Sequence, residues 1–210
     1  MLRSSCTAAL SLFFFITFIL MLTGQKQTIK KNSSYYLTLT VVDWIDVFTR
    51  KNHKKAVLDA LTYCIKNKGL NVYAYCVMTN HVHLVVNCNE PFELKDVIRD
   101  LKRHIVKQVV FQIQNEPESR REWILKLLKE NAELKEGQNI KFWKSGNHAI
   151  ELYSEKFVWD KIHYIHNNPL EEKFVLKPEH WLFSSASNYI DGKGVLEDVF
   201  CLPPIQQTIK

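Results

Sequence analysis

From Tyr35 to Val42 the chain reads YYLTLTVV, an alternation of apolar and small polar positions rich in β-branched and aromatic residues, which predicts a strand. The period then lengthens. Between Lys54 and Asn67, Val57, Leu58, Leu61, Cys64 and Ile65 recur at helical spacing, and Gly69 stands just past the end as a stop. Val72–Val77 and Val82–Val86 predict two strands joined by a tight turn around Thr79-Asn80. Glu93 to about Gln112 carries Leu94, Val97, Ile98, Leu101, Ile105 and Val109 on one stripe, the clearest helix of the chain.

The polar stretch 114–139 interrupts this regularity. Inside it, Ser119-Arg120-Arg121-Glu122 has the form of a capping box ahead of Trp123, Leu127 and Leu128 at helical spacing. Lys141 to Leu152 predicts a further strand, broken at Gly146-Asn147. Ser154 then caps a helix to about Asn167, where Pro169 is expected to stop it. Pro178 to Pro204 reads as a docked tail with little regular structure. The order of elements predicts an α+β fold: a βαββαβ core, one mostly antiparallel sheet, helices on one face, and the other face free for a site.

Composition narrows the class of protein. The 210 residues are 46% hydrophobic and 24% charged, as expected for one folded domain with a sizeable core. Twenty-eight Lys and Arg against 22 Asp and Glu leave a net charge of +6, which permits nucleic-acid binding without requiring it. Cys6, Cys64, Cys76, Cys88 and Cys201 are odd in number, scattered, and never in a C-x-x-C pair, so they point to a reducing compartment and small core residues. Ala8 to Leu22 is an almost unbroken apolar run behind Arg3. It resembles a signal peptide or a short anchor, or else marks a start assigned too early, with translation beginning at Met21; the last reading is preferred, because no small-x-small cleavage site follows. If the run did insert, Lys26, Lys30 and Lys31 would outweigh Arg3 and leave the main domain on the cytoplasmic side, where it is expected in either case, with no stable membrane partner.

Candidate chemistry begins at His81-Val82-His83. Residues two apart on a strand share a face, so the two imidazoles project together while Val82, Leu84 and Val86 point toward the helices. Such a pair can ligate one divalent cation, and it also fits two histidines with ordinary hydrogen bonds beside a turn. A histidine-triad hydrolase would want a third alternating His where Val85 stands, and the H-E-x-x-H spacing of zinc proteases is absent. The helix after Ser154 can offer a third ligand and a nucleophile. Tyr164 and Asn168 are four apart on one face, with Lys161 and Phe157 extending the stripe and Ile162 and Ile165 beside it to pack. Asn168 would complete a His-His-Asn site, and Lys161 would hold a phosphate or stabilise the phenolate. His163 and His166 lie at other angles. A phenol with a pKa near 10 is a poor nucleophile at neutral pH, and a cation on the scissile phosphate compensates for that. Lys95, Arg99, Lys102 and Arg103 form one positive flank of the long helix, suited to tracking a phosphate backbone or simply to solvation. Trp143, Trp159 and Tyr73 are candidates to stack unpaired bases.

The segment Tyr73-Ala-Tyr-Cys-Val-Met-Thr-Asn-His-Val-His-Leu-Val-Val86 closely resembles the HUH segment of single-tyrosine transposases, in particular the REP-associated tyrosine transposases. Tyr164-Ile-His-Asn-Asn-Pro169, followed by Pro178, Trp181 and Ser184-Ser185, resembles their tyrosine helix and what comes after it. The resemblance spans residues 33–190, leaving 1–24 as the apolar segment, 114–139 as an insertion and 191–210 as a C-terminal tail. It implies a ferredoxin-like HUH fold, dependence on Mg2+ or Mn2+, and cleavage of single-stranded DNA beside hairpins or palindromic repeats through a 5′-phosphotyrosine. Carried over, His81 and His83 become metal ligands, Asn168 the third ligand and Tyr164 the nucleophile. The segment after Asn-Pro, Leu170-Glu-Glu-Lys-Phe174, is more acidic than the family pattern. A domesticated, non-catalytic hairpin-binding protein is the alternative, and the choice between monomer and homodimer stays open.

Overall fold

Four strands, β1 (Ser34–Thr40), β2 (Leu70–Val77), β3 (His81–Cys88) and β4 (His148–Leu152), form an antiparallel sheet in the order β2-β3-β1-β4. They belong to a computed structural model that describes residues 29–31, 33–133, 139–146 and 148–204. The apolar segment 1–24 and the end of the C-terminal tail, 205–210, lie outside the described residues. With helices between β1 and β2 and between β3 and β4, the topology is that of the expected ferredoxin-like core. Among the described residues no helix is long and apolar enough to cross a membrane.

The pleat divides the side chains as the alternation predicted. Leu37 of β1 pairs with Leu84 of β3, and the next residue, Thr38, pairs with His83. Tyr35, Leu37, Leu39, Val82, Leu84 and Val86 therefore face one way, into a core completed by Val57 and Leu61 of α1 (Lys51–Lys68) and by Ile98, Leu101 and Ile105 of α2 (Leu94–Asn115). Each such side chain contributes about 1.5–3 kcal/mol by leaving water. Helix α1 ends at Gly69 in the left-handed conformation (φ 60°), with its N–H bonded to the Cys64 carbonyl. A Cβ there would stand 3.0 Å from Phe92 and 3.1 Å from the Asn89 carbonyl, so neither the backbone angle nor the space suits another residue.

The insertion contributes to this same core. Helix α3 (Arg121–Glu133) lays Ile124 and Leu128 fully into it. Its entry is held by Glu118, one residue before the predicted capping serine. The Glu118 carboxylate accepts from the Arg120 N–H at 3.0 Å and from Arg50 Nε at 2.6 Å. The strand expected over 141–152 is shorter, pairing with β1 from residue 148 onward, while Trp143 makes an isolated bridge to Val41.

Two expectations are corrected on the opposite face. That face is not left open by the helices: α4 (Glu155–Glu171) crosses it and buries Ile162 and Ile165 against Tyr36, Ala74, Cys76, Val85 and Leu152. The small side chains at Ala74 and Cys76 leave room for the helix. Ser154 caps α4 as predicted, accepting from the Phe157 N–H at 3.2 Å. Pro169, however, does not stop it. Proline removes one donor, to the carbonyl four residues back, but the following turn closes on its own, with the Glu172 N–H reaching the Asn168 carbonyl at 3.0 Å. The tail then covers the free edge of β2 through Val77 N–H to Phe183 O (2.9 Å) and Ser185 N–H to Tyr75 O (3.0 Å). It carries a single 3-10 turn, Pro178–His180, and a short α5, Ala186–Ile190.

Candidate active site

The turn before β3 is pinned on several sides. Met78 N–H bonds the His81 carbonyl at 2.9 Å, Val41 N–H the Asn80 carbonyl at 2.9 Å, and Phe48 N–H the Thr79 carbonyl at 2.7 Å. From that anchor His81 and His83 project to the α4 side of the sheet, their ring centroids 4.6 Å apart and nearly perpendicular. The Nδ1 atom of His81 bonds Asn80 Oδ1 at 2.7 Å; an amide oxygen only accepts, so Nδ1 carries the proton and Nε2 keeps its lone pair. His83 Nδ1 lies 2.9 Å from the Tyr36 hydroxyl and 3.1 Å from that of Thr38. Its Nε2 is buried and makes no hydrogen bond.

Burial fixes the charge state of both rings. It lowers the pKa of His81 to about 4 and that of His83 well below the usual 6.5, His83 being lowered further by its neighbours His81 and Lys161. Neutral imidazole is the form that binds metal. Asn168 reaches the same place from α4. Its side chain is buried, and it lies near enough to His81 to favour that ring's protonated form, yet Oδ1 makes no hydrogen bond of good geometry. Buried polar atoms are nearly always paired. Two buried polar atoms near His81, a ring nitrogen and an amide oxygen, thus make no hydrogen bond, and both are of types that ligate a cation. His81, His83 and Asn168 therefore fit a divalent cation. Among the described residues no group of three or more His, Cys, Asp or Glu gathers, here or elsewhere, so the set depends on the Asn168 amide.

Tyr164 stands beside this set, half-buried, with its ring 5.6 Å from His83 and 6.1 Å from Tyr36. Burial raises its pKa and Glu171 adds to that, while a hydrogen bond from Tyr36 works in the other direction. Lys161, one turn earlier, is buried, with Nζ 4.9 Å from the Tyr36 ring centroid and 5.6 Å from that of Tyr164; burial lowers its pKa. Tyr36 was not singled out from the sequence. Period-2 alternation shows which residues of one strand share a face, but the β1–β3 register that brings Tyr36 to His83 is a tertiary fact.

The other candidates lie apart. His166 Nε2 is paired with Ser185 Oγ at 2.8 Å and His163 leans on Trp159, so neither joins the two histidines of β3. Lys95, Arg99, Lys102 and Arg103 sit on α2, across the sheet from Tyr164. There Arg99 pairs with Asp96 (2.6 Å), Arg103 with Asp100 (3.6 Å), and Lys102 lies near the Trp143 ring. Trp143 donates from Nε1 to the Lys102 carbonyl at 3.2 Å, Tyr73 accepts from Asn87 at 2.8 Å, and Trp159 packs on Tyr189. All three are braced within the fold. The aromatic that does stand open at the site is Trp44, 54% exposed and 6.1 Å from the His81 ring. It lies in a loop without periodicity, where sequence offers no signal.

A model of the family "Transposase IS200 like" matches residues 29–168, and the chain belongs to that family. It is thus a transposase-family protein, of a class that acts on DNA. The fold is similar to a solved structure described as the REP-associated tyrosine transposase bound to a REP hairpin, at 13% identity and a TM-score of 0.55, covering 89% of this chain and all of that one. A transposase structure from Deinococcus radiodurans is similar at 20% identity, covering 69% of this chain and 95% of that one, with a TM-score of 0.37. Comparison with curated proteins finds no match.

Proposed function

We propose that this transposase is a metal-dependent single-stranded DNA endonuclease and strand transferase that acts at hairpins, with Tyr164 as nucleophile. The observation that carries the reading is the pair of buried atoms without a hydrogen bond, His83 Nε2 and Asn168 Oδ1, with the His83 ring 5.6 Å from that of Tyr164. The hairpin comes from the similarity in fold to a protein described as bound to one.

In this reading His81, His83 and Asn168 hold Mg2+ or Mn2+, and two imidazoles favour Mn2+ over the harder Mg2+. When bound, the cation supplies Lewis-acid polarisation of the scissile phosphate. The chain's own groups do the rest. The Tyr36 hydroxyl donates toward the Tyr164 oxygen and eases loss of its proton, against the cost of burial. Lys161 brings a positive charge over both rings, where it offsets phenolate and phosphate. Attack by the Tyr164 oxygen forms a phosphorus–oxygen bond to the 5′ side of the break, the bond to the 3′ oxygen breaks, and that oxygen leaves with a proton as a free hydroxyl. The phosphotyrosine conserves the bond energy, so a strand can be rejoined without ATP. Lys95, Arg99, Lys102 and Arg103, on the other face, would meet the backbone of flanking DNA.

The test is direct. Protein incubated with Mn2+ and labelled hairpins carrying the single-stranded flanks of its own gene is expected to yield a covalent adduct on a denaturing gel. The adduct disappears in Tyr164→Phe and on chelation. An adduct that survives Tyr164→Phe overturns the nucleophile, and its absence from the unmodified protein on every flank overturns the catalytic reading.

A further inference from the structure

Trp44 is held outward by a backbone that pays for its position in strain. It ends the 3-10 turn Val42–Trp44, in which Asp43 (φ 50°, ψ 21°) and Trp44 (φ 55°) both occupy the left-handed region. Two consecutive residues with Cβ atoms in that region, one of them bulky, are rare and persist where the surroundings over-determine them. The surroundings do so here. Val42 N–H bonds the Phe142 carbonyl at 2.9 Å, Ile45 N–H the Val42 carbonyl at 3.1 Å, and Asn131 Nδ2 donates to the Asp43 carboxylate at 2.6 Å. Val42 and Ile45, on either side, are 2% and 3% exposed, whereas Trp44 is 54% exposed. The loop is therefore docked firmly, with an indole left in solvent.

Its surroundings say what that indole meets. Its ring stands 6.1 Å from the ring of His81, at 80° to it. The exposed Lys144 places Nζ over the ring, 5.4 Å from its centroid, its backbone fixed by a 2.8 Å bond from its N–H to the Thr40 carbonyl. A rigid, solvent-facing aromatic with a flexible cation above it, next to the His81–His83 pair, matches the elements by which proteins hold unpaired nucleotides: a stacking plane and a charge for the backbone.

From this arrangement we infer that Trp44 is the stacking platform for an unpaired base of the nucleotide adjoining the scissile phosphate, with Lys144 taking the phosphate beside it. The inference rests on the proposed function, since it needs single-stranded DNA at the His81–His83 pocket. It adds a residue contact that neither the family match nor the fold comparison assigns. Stacking is tolerant of base identity, so the contact positions the strand more than it reads sequence.

The test compares wild type, Trp44→Ala and Trp44→Phe by fluorescence anisotropy. The probes are the hairpins above, each flank position replaced in turn by an abasic nucleotide. Trp44→Ala is expected to weaken binding about tenfold or more, and Trp44→Phe to stay within about threefold of wild type. At one flank position the abasic substitution should weaken wild type by a similar factor and add nothing to Trp44→Ala. Mn2+ affinity without DNA, read by electron paramagnetic resonance, should be the same in all three proteins. Equal DNA affinity of Trp44→Ala and wild type overturns the inference, as do additive losses at every position. Loss of Mn2+ binding in Trp44→Ala also overturns it, by placing the effect on His81. Where wild type still forms its adduct, these failures leave the proposed function intact; where wild type neither binds nor reacts, both fall together.

Discussion

Strand β3 serves two faces that obey opposite rules. On one, Val82, Leu84 and Val86 are fully buried among the leucines and isoleucines of β1, α1 and α2. On the other, one residue away each time, His81 and His83 sit with shifted pKa values, and an imidazole nitrogen and an amide oxygen lack partners. The first face gains free energy from every side chain it removes from water. The second gains from Val85, Ile162 and Ile165 as well, but it also desolvates polar groups that no hydrogen bond repays. Stability and chemistry are thus separated by the thickness of one sheet, and the separation can be tested residue by residue.

The largest contrast is expected between neighbours. Leu84→Ala opens a cavity in the helix-covered core and should cost about 2–5 kcal/mol, read by urea denaturation. Mn2+ binding should persist in whatever fraction stays folded. His83→Leu keeps most of the volume; it removes the unpartnered Nε2 together with the Nδ1 contacts to the Tyr36 and Thr38 hydroxyls, which still bond each other. It should abolish measurable Mn2+ binding while changing stability by less than about 1 kcal/mol. A His83→Leu protein as unstable as Leu84→Ala would end the division of labour.

Acid should find the second face before the first. An unfolded histidine takes up its proton near pH 6.5, whereas folded His81, held back by burial, does so only at about 4. Between those values the unfolded chain binds more protons, so stability is present above pH 6.5 and is lost as pH falls toward 4. His81 alone accounts for a loss of order 3 kcal/mol over that window. His53, His83 and His166 are shifted in the same direction, again first by burial. His81→Leu should therefore flatten the stability–pH curve measured by denaturation at each pH, whereas Leu84→Ala should lower it without changing its shape. A curve equally steep in His81→Leu would remove that ring from the account.

What could be read from the chain follows the same division. The helix-covered face was legible because burial imposes a period: the leucines and valines of β1 and β3 alternate, and those of α1 and α2 recur every three or four residues. His81 and His83 were legible for the same reason, since a strand leaves no choice about which residues share a face. The His81–Asn168 approach needed the helix to run on through Pro169, where a local rule pointed the other way. That rule yields because the turn after the proline makes its own bonds. Tyr36 and Trp44 were out of reach. One depends on the register between strands distant in sequence, the other on a left-handed loop with no period at all.

The smallest effect is expected from the basic flank of α2, and it bears on whether DNA meets both faces. If Lys95, Arg99, Lys102 and Arg103 contact flanking phosphates, replacing all four with alanine should flatten the dependence of hairpin affinity on salt, each true contact being worth about one in the slope. The contributions should be unequal. Lys95 is exposed, whereas Arg99 must release Asp96 and Arg103 must release Asp100 before either can reach a phosphate. Lys95→Ala is therefore expected to account for more of the change than either arginine. At saturating DNA the rate of adduct formation should not move, because none of the four lies on the face that holds Tyr164. A fourfold variant that stays folded and binds DNA, yet loses the adduct at saturation, would mean that the two faces are coupled through the sheet.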